Sequence, residues 1–183
     1  MSGLRYTFHP SPVGDLLIAS SRKGLVRIVF YDDLRALADE GARTLGDLLG
    51  AAPFGAVADR GLNLEVCRQL DEYFFGDRRS FRLKLDMRAV RSTFARRVLK
   101  SLKKVPPGEV VTYSELARMA GNVRAARAVG QTMNRNPVPI VIPCHRVIGA
   151  GGSLGGYSGG LWRKELLLKH EGVLRDLPLP LAA

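Results

Sequence analysis

Residues 136–148 constrain the fold of this chain more than any other stretch. Prolines occupy positions 137, 139 and 143 in the sequence Asn-Pro-Val-Pro-Ile-Val-Ile-Pro-Cys-His-Arg-Val-Ile. Proline lacks a backbone donor and disfavours helical geometry in the residue before it, so a helix is excluded. The residues between the prolines are apolar and β-branched, which predicts burial. We therefore expect a stiff, extended and mostly buried segment that ends at Cys144.

Cys144 is a candidate nucleophile because of its neighbours. It follows a proline and precedes His145 and Arg146. A basic neighbourhood favours the thiolate, which is the nucleophilic form of cysteine. A buried structural cysteine is the alternative, since a free cysteine is most often a core residue.

Length and cysteine content limit the class of protein. The 183 residues suffice for one good core or two small domains. No charged and then apolar leader and no apolar run of membrane-spanning length is apparent, which predicts a soluble protein that is not exported. The expected location is the cytoplasm or the nucleoid, or the nucleus if the host is eukaryotic. Cys67 and Cys144 are too few for a disulfide framework or a cysteine zinc site. A bridge between them would block the candidate nucleophile, which favours a reducing compartment.

Charge is divided unequally along the chain. Residues 1–88 carry 13 basic and 12 acidic residues, whereas residues 89–183 carry 15 basic and 5 acidic residues, a net charge of +10. Such an asymmetry indicates that the second half binds a polyanion. Nucleic acid is favoured over a membrane, because no basic amphipathic helix with a broad apolar face is apparent.

The first half has the pattern of a small α+β unit. Three strands are predicted from apolar runs and alternation: Leu4–His9, Asp15–Ser21 and Gly24–Tyr31. Two helices are predicted from helical spacing: Leu34–Leu49 and Leu62–Phe75. Alternation at Phe81, Leu83 and Leu85 predicts a last strand. His9 is interpreted as a surface residue and Cys67 as a core residue, and nothing in this half indicates chemistry.

The second half contains a predicted helix-turn-helix. A helix from Thr93 stops at Pro106-Pro107-Gly108, and Thr112-Tyr-Ser-Glu fits a capping box that begins a helix over 113–120. The turn Gly121-Asn122 separates it from a helix over Val123–Asn134. Two short helices joined by a glycine-containing turn are typical of DNA-binding helix-turn-helix motifs.

The second helix of this motif has unusually small side chains. Alanines and a glycine surround Arg127 in Arg124-Ala-Ala-Arg-Ala-Val-Gly130. A glycine inside a helix costs about 1 kcal/mol, so close approach of the backbone to DNA is a better explanation than helix stability. A simple alanine-rich helix is the alternative.

Two features follow the candidate nucleophile. Gly149–Gly160 contains seven glycines in twelve residues, with Tyr157 among them, and is interpreted as a pocket wall that passes close to a ligand. A helix over Leu161–Glu171 follows, and Gly172 ends it. Spacing places Glu171 on the buried face at the carboxyl end, where an acid needs a cationic or hydrogen-bonding partner. His145 is the candidate partner.

Five ordered blocks of the second half resemble the O6-alkylguanine-DNA alkyltransferases, also called methylated-DNA–protein-cysteine methyltransferases. The blocks are Pro-Cys-His-Arg-Val at 143–147, Gly-Glu-Val-Val-Thr-Tyr at 108–113, Ala-Arg-Ala-Val-Gly at 126–130, Gly-Tyr-Ser-Gly-Gly at 156–160, and Lys-Glu-Leu-Leu at 164–167 with Glu-Gly at 171–172. The resemblance covers about Phe94 to Gly172 and is loose before Phe94.

The resemblance implies an α+β fold in two domains. Residues 1–87 would form a structural, ribonuclease H-like α+β domain with a small antiparallel sheet. Residues 88–175 would form a mostly helical, winged-helix-like domain that carries the DNA-binding and alkyl-transfer sites, followed by a mobile tail over 176–183.

The implied function is DNA repair by direct, single-turnover transfer of an alkyl group from O6-alkylguanine, and from O4-alkylthymine, to Cys144. Glu171 would orient His145, which would draw the proton from Cys144 through a water molecule, in the logic of a catalytic triad. Asn136 would brace the turn that carries Cys144 and link it to the recognition helix; a simple hinge before Pro137 is the alternative.

The resemblance also assigns binding residues. Tyr113 would donate a proton to the flipped base, and Tyr157, Ser158 and Val147 would line the substrate pocket; Tyr157 as a mere packing aromatic is the alternative. Arg127 would fill the space of the extruded base in the minor groove; a contact with a backbone phosphate is the alternative. The remaining DNA-binding residues would be Arg124, Ala126, Ala128 and Gly130.

The expected partner is double-stranded DNA that contains O6-alkylguanine, bound by a monomer, without a membrane and without a cofactor. No metal is expected, because the Cys/His cluster that holds zinc in some members is absent. Two other functions stay open at this point. They are a non-catalytic DNA-damage sensor or winged-helix regulator on the same scaffold, and a cysteine hydrolase with a Cys-His-Glu set.

Overall fold

The computed structural model describes residues 4–31 and 56–174. The predicted helix Leu34–Leu49 and the predicted mobile tail over 176–183 lie outside these ranges. The three predicted strands are confirmed with the predicted bounds: β1 Leu4–His9, β2 Asp15–Ser21 and β3 Gly24–Tyr31. A short strand, β4 (Ala56–Ala58), completes a sheet of order β3-β2-β1-β4. The first three strands are antiparallel, and β4 runs parallel to β1.

A long helix packs beside this sheet. Helix α1 (Leu64–Phe75) follows a short 3-10 turn over Gly61–Asn63, which is why it begins later than predicted. It ends at Gly76, whose φ of 89° requires a residue that tolerates left-handed geometry. Cys67 is a core residue, as predicted. The prediction for His9 was wrong: its side chain is buried, and Nε2 lies 2.8 Å from Asp71 Oδ1.

The strand predicted from Phe81, Leu83 and Leu85 does not form. Only Leu85 makes a bridge, a parallel one with Leu25. The Leu25 amide donates to the Lys84 carbonyl at 2.9 Å, and the Asp86 amide donates to the Leu25 carbonyl at 2.8 Å. The alternating apolar side chains still pack against the core. The chain therefore crosses the edge of β3 at one point instead of running along it.

The C-terminal part is mostly helical. Its elements are α2 Thr93–Leu102, β5 Val111–Thr112, α3 Tyr113–Met119, α4 Ala126–Asn134, β6 Val147–Ile148 and α5 Leu161–His170. The predicted capping box is present, since Thr112 and Glu115 exchange side-chain and backbone hydrogen bonds. Strands β5 and β6 pair in parallel.

Helix α4 begins three residues later than predicted. The Asn122 side-chain oxygen accepts a hydrogen bond from the Arg124 amide at 3.1 Å. Such a local bond offers the backbone an alternative to helical geometry. Residues 123–125 therefore form a turn, and helices α3 and α4 pack against each other across it.

The segment 136–148 is buried as predicted, but the prediction that it is extended was wrong. The Ile142 amide donates to the Val138 carbonyl at 2.9 Å, and Ile140 has a φ of 71°. Cys144–Arg146 form a 3-10 turn. The three prolines exclude a helix, yet they also remove the donors that a strand needs, so the chain folds into successive tight turns.

The fold is α+β, as predicted, with a small sheet in the N-terminal part and helices in the C-terminal part. Both parts contribute to one buried apolar cluster, which includes Ile28, Leu70, Leu102 and Ile142. Cys67 and Cys144 are free thiols. Among the helices that the structure describes, none has the length and apolar character needed to cross a bilayer.

Candidate active site

Cys144 lies at the start of the 3-10 turn that links the proline-rich segment to β6. Its side chain is almost fully buried. Its amide donates to the Ile142 carbonyl at 2.8 Å, and the Arg146 amide donates to the Pro143 carbonyl at 3.0 Å. These bonds fix the backbone on both sides of the thiol.

His145 and Glu171 form a buried pair. His145 Nε2 lies 3.0 Å from Glu171 Oε1, and the two side chains are 0% and 1% exposed. Glu171 caps the carboxyl end of α5, immediately after His170. The predicted partnership of Glu171 with His145 is therefore present in the geometry.

Two further residues bind the same carboxylate. Arg146 donates to it twice, from Nε to Oε2 at 2.8 Å and from Nη2 to Oε1 at 2.7 Å. The Tyr73 hydroxyl donates to Oε1 at 2.7 Å. Neither contact was predicted from the sequence. The charge of Arg146 was expected to act on Cys144, whereas it neutralises Glu171. Tyr73 carries no motif and is 98 positions from Glu171, so only the fold brings them together.

These contacts determine the protonation of the pair. Burial alone would raise the pKa of Glu171, but hydrogen bonds from His145 and Arg146 outweigh it and lower the pKa to about 2. Burial lowers the pKa of His145, against the opposing effect of Glu171. A carboxylate only accepts hydrogen bonds, so Nε2 of a neutral His145 carries the proton. Nδ1, which is buried and has no partner among the described residues, is then left with a free lone pair.

The free thiol is protonated in this environment. Burial raises the pKa of Cys144, and the side chains of Asn136 and Tyr157 and the charge of Lys164 only partly offset that effect. In the free protein, burial therefore outweighs the basic neighbours of Cys144 in setting the pKa of its thiol. A base must remove the proton before Cys144 acts as a nucleophile.

Asn136 holds the turns that precede Cys144. Its Nδ2 donates to the Ile142 carbonyl at 2.7 Å, and its Oδ1 accepts from the Val138 amide at 3.2 Å. This placement is the bracing position expected from the sequence. Val147 is fully buried and pairs with Val111.

Lys164 is a buried cation that was not predicted from the sequence to belong to the site. Its Nζ donates to the Val147 carbonyl at 2.6 Å and also to the Leu154 carbonyl. Burial lowers its pKa to about 8, although Cys144 opposes the shift. The signal was present in the sequence, because Lys164 shares the helical face of Leu167 and Glu171.

The glycine-rich loop brings Tyr157 beside the thiol. The Tyr157 hydroxyl is buried near the sulfur, yet it makes no hydrogen bond of good geometry with a described residue. Burial and the nearby Cys144 raise the pKa of Tyr157 well above its usual value. Ser158, by contrast, is exposed.

Tyr113 lies between the loop and helix α4. A side chain added at Gly130 would be 3.8 Å from the Tyr113 ring, and one added at Gly155 would be 3.5 Å from its hydroxyl. Burial and Cys144 raise the pKa of Tyr113. Asn136, Tyr157 and Tyr113 are therefore all close enough to Cys144 to interact with it.

Helix α4 presents the small residues and the arginine expected of a DNA-contacting helix. Arg127 is exposed on its first turn, Ala126, Ala128 and Gly130 are partly exposed, and Arg124 is exposed just before the helix. Arg127 makes no hydrogen bond or ion pair with another described residue.

Within residues 4–31 and 56–174, no group of three or more His, Cys, Asp and Glu side chains could hold a metal ion.

Two family models match the chain. Residues 4–87 match the ribonuclease-like domain of 6-O-methylguanine DNA methyltransferase, and residues 93–173 match the DNA binding domain of the same family. The two matches follow each other and cover most of the chain.

Curated relatives extend over almost the whole length. The methylated-DNA–protein-cysteine methyltransferase of Methanosarcina acetivorans is 40% identical over 91% of this chain and 97% of its own length. The protein of that name from Mycobacterium leprae is 39% identical over 92% of this chain and 94% of its length. The human protein of that name is 60% identical over a shorter stretch, 44% of this chain and 39% of its length.

Solved structures give the same result. The Mycobacterium tuberculosis protein OGT in complex with DNA superposes with a TM-score of 0.75 and 35% identity, over 92% of this chain and 93% of that one. The O6-methylguanine-DNA methyltransferase of Pyrococcus kodakaraensis superposes with a TM-score of 0.61 and 28% identity, over 93% of this chain and 99% of that one.

Proposed function

The chain belongs to the 6-O-methylguanine DNA methyltransferase family, and from that premise we propose that it repairs alkylated DNA through Cys144. The substrate is O6-alkylguanine in duplex DNA, with O4-alkylthymine as a second substrate. The alkyl group passes directly to the sulfur of Cys144 and stays there. Each molecule therefore acts once, as a monomer and without a cofactor.

The chemical step is a displacement at the alkyl carbon. His145 Nδ1 accepts the thiol proton through a water molecule, and Glu171 stabilises the imidazolium that forms. The Cys144 thiolate attacks the alkyl carbon, so a carbon–sulfur bond forms and the carbon–O6 bond breaks. The electron pair of the broken bond goes to the base, which takes a proton on its ring nitrogen from Tyr113. The proton that His145 took from Cys144 then passes to the Tyr113 phenolate. The products are guanine and the alkyl thioether of Cys144.

The observation that carries this proposal is the chain of contacts behind the thiol. Glu171 has a pKa of about 2 and is therefore anionic, which fixes the Nε2 proton of His145 and leaves the buried Nδ1 as a base. The raised pKa of Cys144 supports a thiol that is protonated in the free protein. It loses its proton to His145 only when the alkylated nucleobase is bound. A thiol protects the protein from unproductive alkylation and oxidation before DNA arrives.

Access to a buried thiol requires an extruded base. Cys144 is 4% exposed, and the target atom of a stacked guanine lies inside the duplex. We propose that α4 enters the minor groove with its alanine and glycine surface against the DNA. Arg127 then occupies the space that the flipped nucleotide leaves. Ser158 and the backbone of its loop hold the departing O6.

We further propose that residues 1–87 and 88–175 act as two domains, with the chemistry confined to the second. Their boundary follows Asp86, whose pKa is lowered by the hydrogen bonds of Arg88 despite its burial. This buried acid also accepts from Ser21 at 2.6 Å, so it ties the boundary to the sheet.

Mass spectrometry after incubation with duplex DNA that contains O6-methylguanine tests the proposal. We expect one added methyl group, on Cys144, and one guanine repaired per protein molecule. Cys144→Ala should abolish transfer and keep DNA binding, because the small change leaves α4 intact. Repeated turnover, a methyl group on another residue, or transfer by Cys144→Ala would contradict it. The damage-sensor alternative predicts binding with no added methyl at all.

A further inference from the structure

A basic groove lies between the N-terminal sheet and the helix-turn-helix. Its volume is about 530 Å³. One wall comes from β3, and the other walls come from the start of α2 and the outer side of α4. The lining residues include three arginines and no carboxylate: Arg27, Arg91 and Arg135, with Phe94, Gln131 and Pro137 among the remainder. A concave surface with one sign of charge concentrates counter-ions.

Arg27 is the least satisfied of these cations. It lies on β3 and is partly buried. Its Nε is buried and has no hydrogen-bond partner among the described residues. Burial also lowers its pKa. A desolvated donor without a partner is costly, and a guanidinium fits phosphate oxygens in a forked geometry. The free Nε therefore points to an anionic ligand in the groove.

The position of Arg27 is fixed by the site itself. The amide of the next residue, Ile28, donates to the Pro137 carbonyl at 2.9 Å. This bond joins the edge of β3 to the segment that carries Cys144. Arg27 in the groove and Cys144 in the site are thus linked through the hydrogen bond between Ile28 and Pro137.

The other walls are continuous with the face proposed to bind DNA. Gln131 is exposed on α4, and Arg135 is exposed immediately after the last residue of that helix. Ser92 caps α2 and lines the groove, so the positive end of that helix dipole lies at the groove. A duplex that contacts α4 would bring its own phosphates past Arg135 and Arg91. A polyanion of this kind is therefore favoured over a free small anion.

We propose that this groove binds a backbone phosphate of the same DNA duplex, with Arg27 donating from the N-terminal part. The proposal rests on the DNA binding in the proposed function and adds a contact outside the helix-turn-helix. It gives the N-terminal part a share in DNA binding, beyond the structural role expected from the sequence.

Salt dependence of binding to undamaged duplex DNA tests the proposal. We expect Arg27→Gln to reduce the slope of log affinity against log salt by about 0.9, the value for one phosphate contact. Affinity at low salt should fall about tenfold, as for the loss of a charged hydrogen bond. Arg60→Gln is the matched control, because it removes the same charge just beyond β4, at the opposite edge of the sheet. Its slope should equal that of the unmodified protein.

Transfer from free O6-benzylguanine separates this proposal from the proposed function. Arg27→Gln should react with the free base at the unmodified rate, which also shows that the variant is folded. The phosphate contact would be overturned if Arg27→Gln left the salt slope unchanged. It would also be overturned if Arg27→Gln and Arg60→Gln lost the same amount of DNA affinity. Stabilisation of the unmodified protein by inorganic phosphate, lost in Arg27→Gln without a change in slope, would identify a small-anion site instead. Failure of alkyl transfer would refute the proposed function and leave the binding test intact.

Discussion

Arg163 donates a hydrogen bond from Nε to the carbonyl of Val13 at 2.7 Å, 150 positions away in the sequence. Its Nη1 donates to the Gly159 carbonyl at 2.7 Å. The guanidinium lies over the rings of Phe30 at 5.1 Å and Trp162 at 4.4 Å. One buried side chain thus joins the turn between β1 and β2 to the loop that carries Tyr157.

We expect Arg163→Leu to slow alkyl transfer and to lower stability. The hydrogen bonds to the Val13 and Gly159 carbonyls are lost, and each bond of this charged kind contributes about 1.5 to 3 kcal/mol. The glycine-rich loop loses its anchor, so Tyr157 is less well held beside Cys144. The rate of transfer from free O6-benzylguanine, measured well below the unfolding temperature, reports positioning apart from stability. Arg163→Lys, which cannot make both bonds in fork geometry, should be intermediate.

Arg79→Leu serves as the control, since Arg79 is exposed and makes no hydrogen bond or ion pair with a described residue. It should leave the rate and the free energy of unfolding unchanged. A wild-type rate in folded Arg163→Leu would show that Arg163 supports only the fold.

The glycine-rich loop offers a second test with a matched pair of glycines. A Cβ at Gly159 would lie 2.7 Å from the Phe30 ring and 2.8 Å from Tyr157 Cε1, whereas nothing lies within 4 Å of one at Gly156. Gly159→Ala must therefore displace an aromatic ring, which typically costs about 1 to 3 kcal/mol. We expect it to lower the transfer rate to free base at least tenfold, and Gly156→Ala to have no such effect. Equal rates in the two variants would contradict the role of Tyr157.

Much of this architecture follows from local pattern. The strands of the meander, α2 and the capping box of α3 are local features, so the sequence predicted them with little error. The prediction of a strand at 81–85 was wrong. Alternation indicates which side chains are buried, but it does not show whether a neighbouring strand provides backbone hydrogen bonds. The turns of 136–142 depend on hydrogen bonds made by the Asn136 side chain. Secondary-structure propensities of single residues do not predict such bonds.

The site was predicted unevenly for the same reason. His145 and Glu171 could be paired because helical spacing placed a badly positioned acid on the buried face of α5. Tyr73 and Arg163 could not be assigned, since their partners are brought close only by the packing of the two halves of the chain. The bonds of Arg146 to Glu171 could not be predicted, because adjacency to Cys144 in the sequence does not fix where a side chain points in a 3-10 turn.

Arg127 should matter for duplex DNA and not for the free base. It is exposed and makes none of the hydrogen bonds that hold Cys144, His145 and Glu171, so Arg127→Ala leaves these three residues in place. We expect a large loss of transfer from O6-methylguanine in duplex DNA and little change with free O6-benzylguanine. Arg118→Ala, an exposed arginine on α3, is the control and should affect the duplex reaction less. Equal loss on both substrates would refute the base-extrusion role of Arg127.

The buried carboxylate predicts how stability depends on pH. The pKa of Glu171 is about 2 in the folded protein, below the value of about 4.3 in an unfolded chain. As the pH falls below about 4.3, the unfolded state binds a proton first and becomes favoured. The contribution of Glu171, about 3 kcal/mol, is therefore complete near neutral pH and is lost progressively toward pH 2. Urea unfolding between about pH 6 and pH 2.5 measures it.

The variant Glu171→Gln isolates this contribution, because other carboxylates with lowered pKa values, such as Glu65, titrate equally in both proteins. The variant should be less stable at neutral pH by about 3 to 5 kcal/mol, since Arg146 is left buried without its counter-charge. The difference between the two proteins should shrink as the pH falls. Tyr73→Phe, which removes one neutral donor from the same oxygen, should cost only about 1 kcal/mol and keep the full pH dependence. A difference that stays constant with pH would mean that Glu171 is not the buried anion on which the orientation of His145 depends.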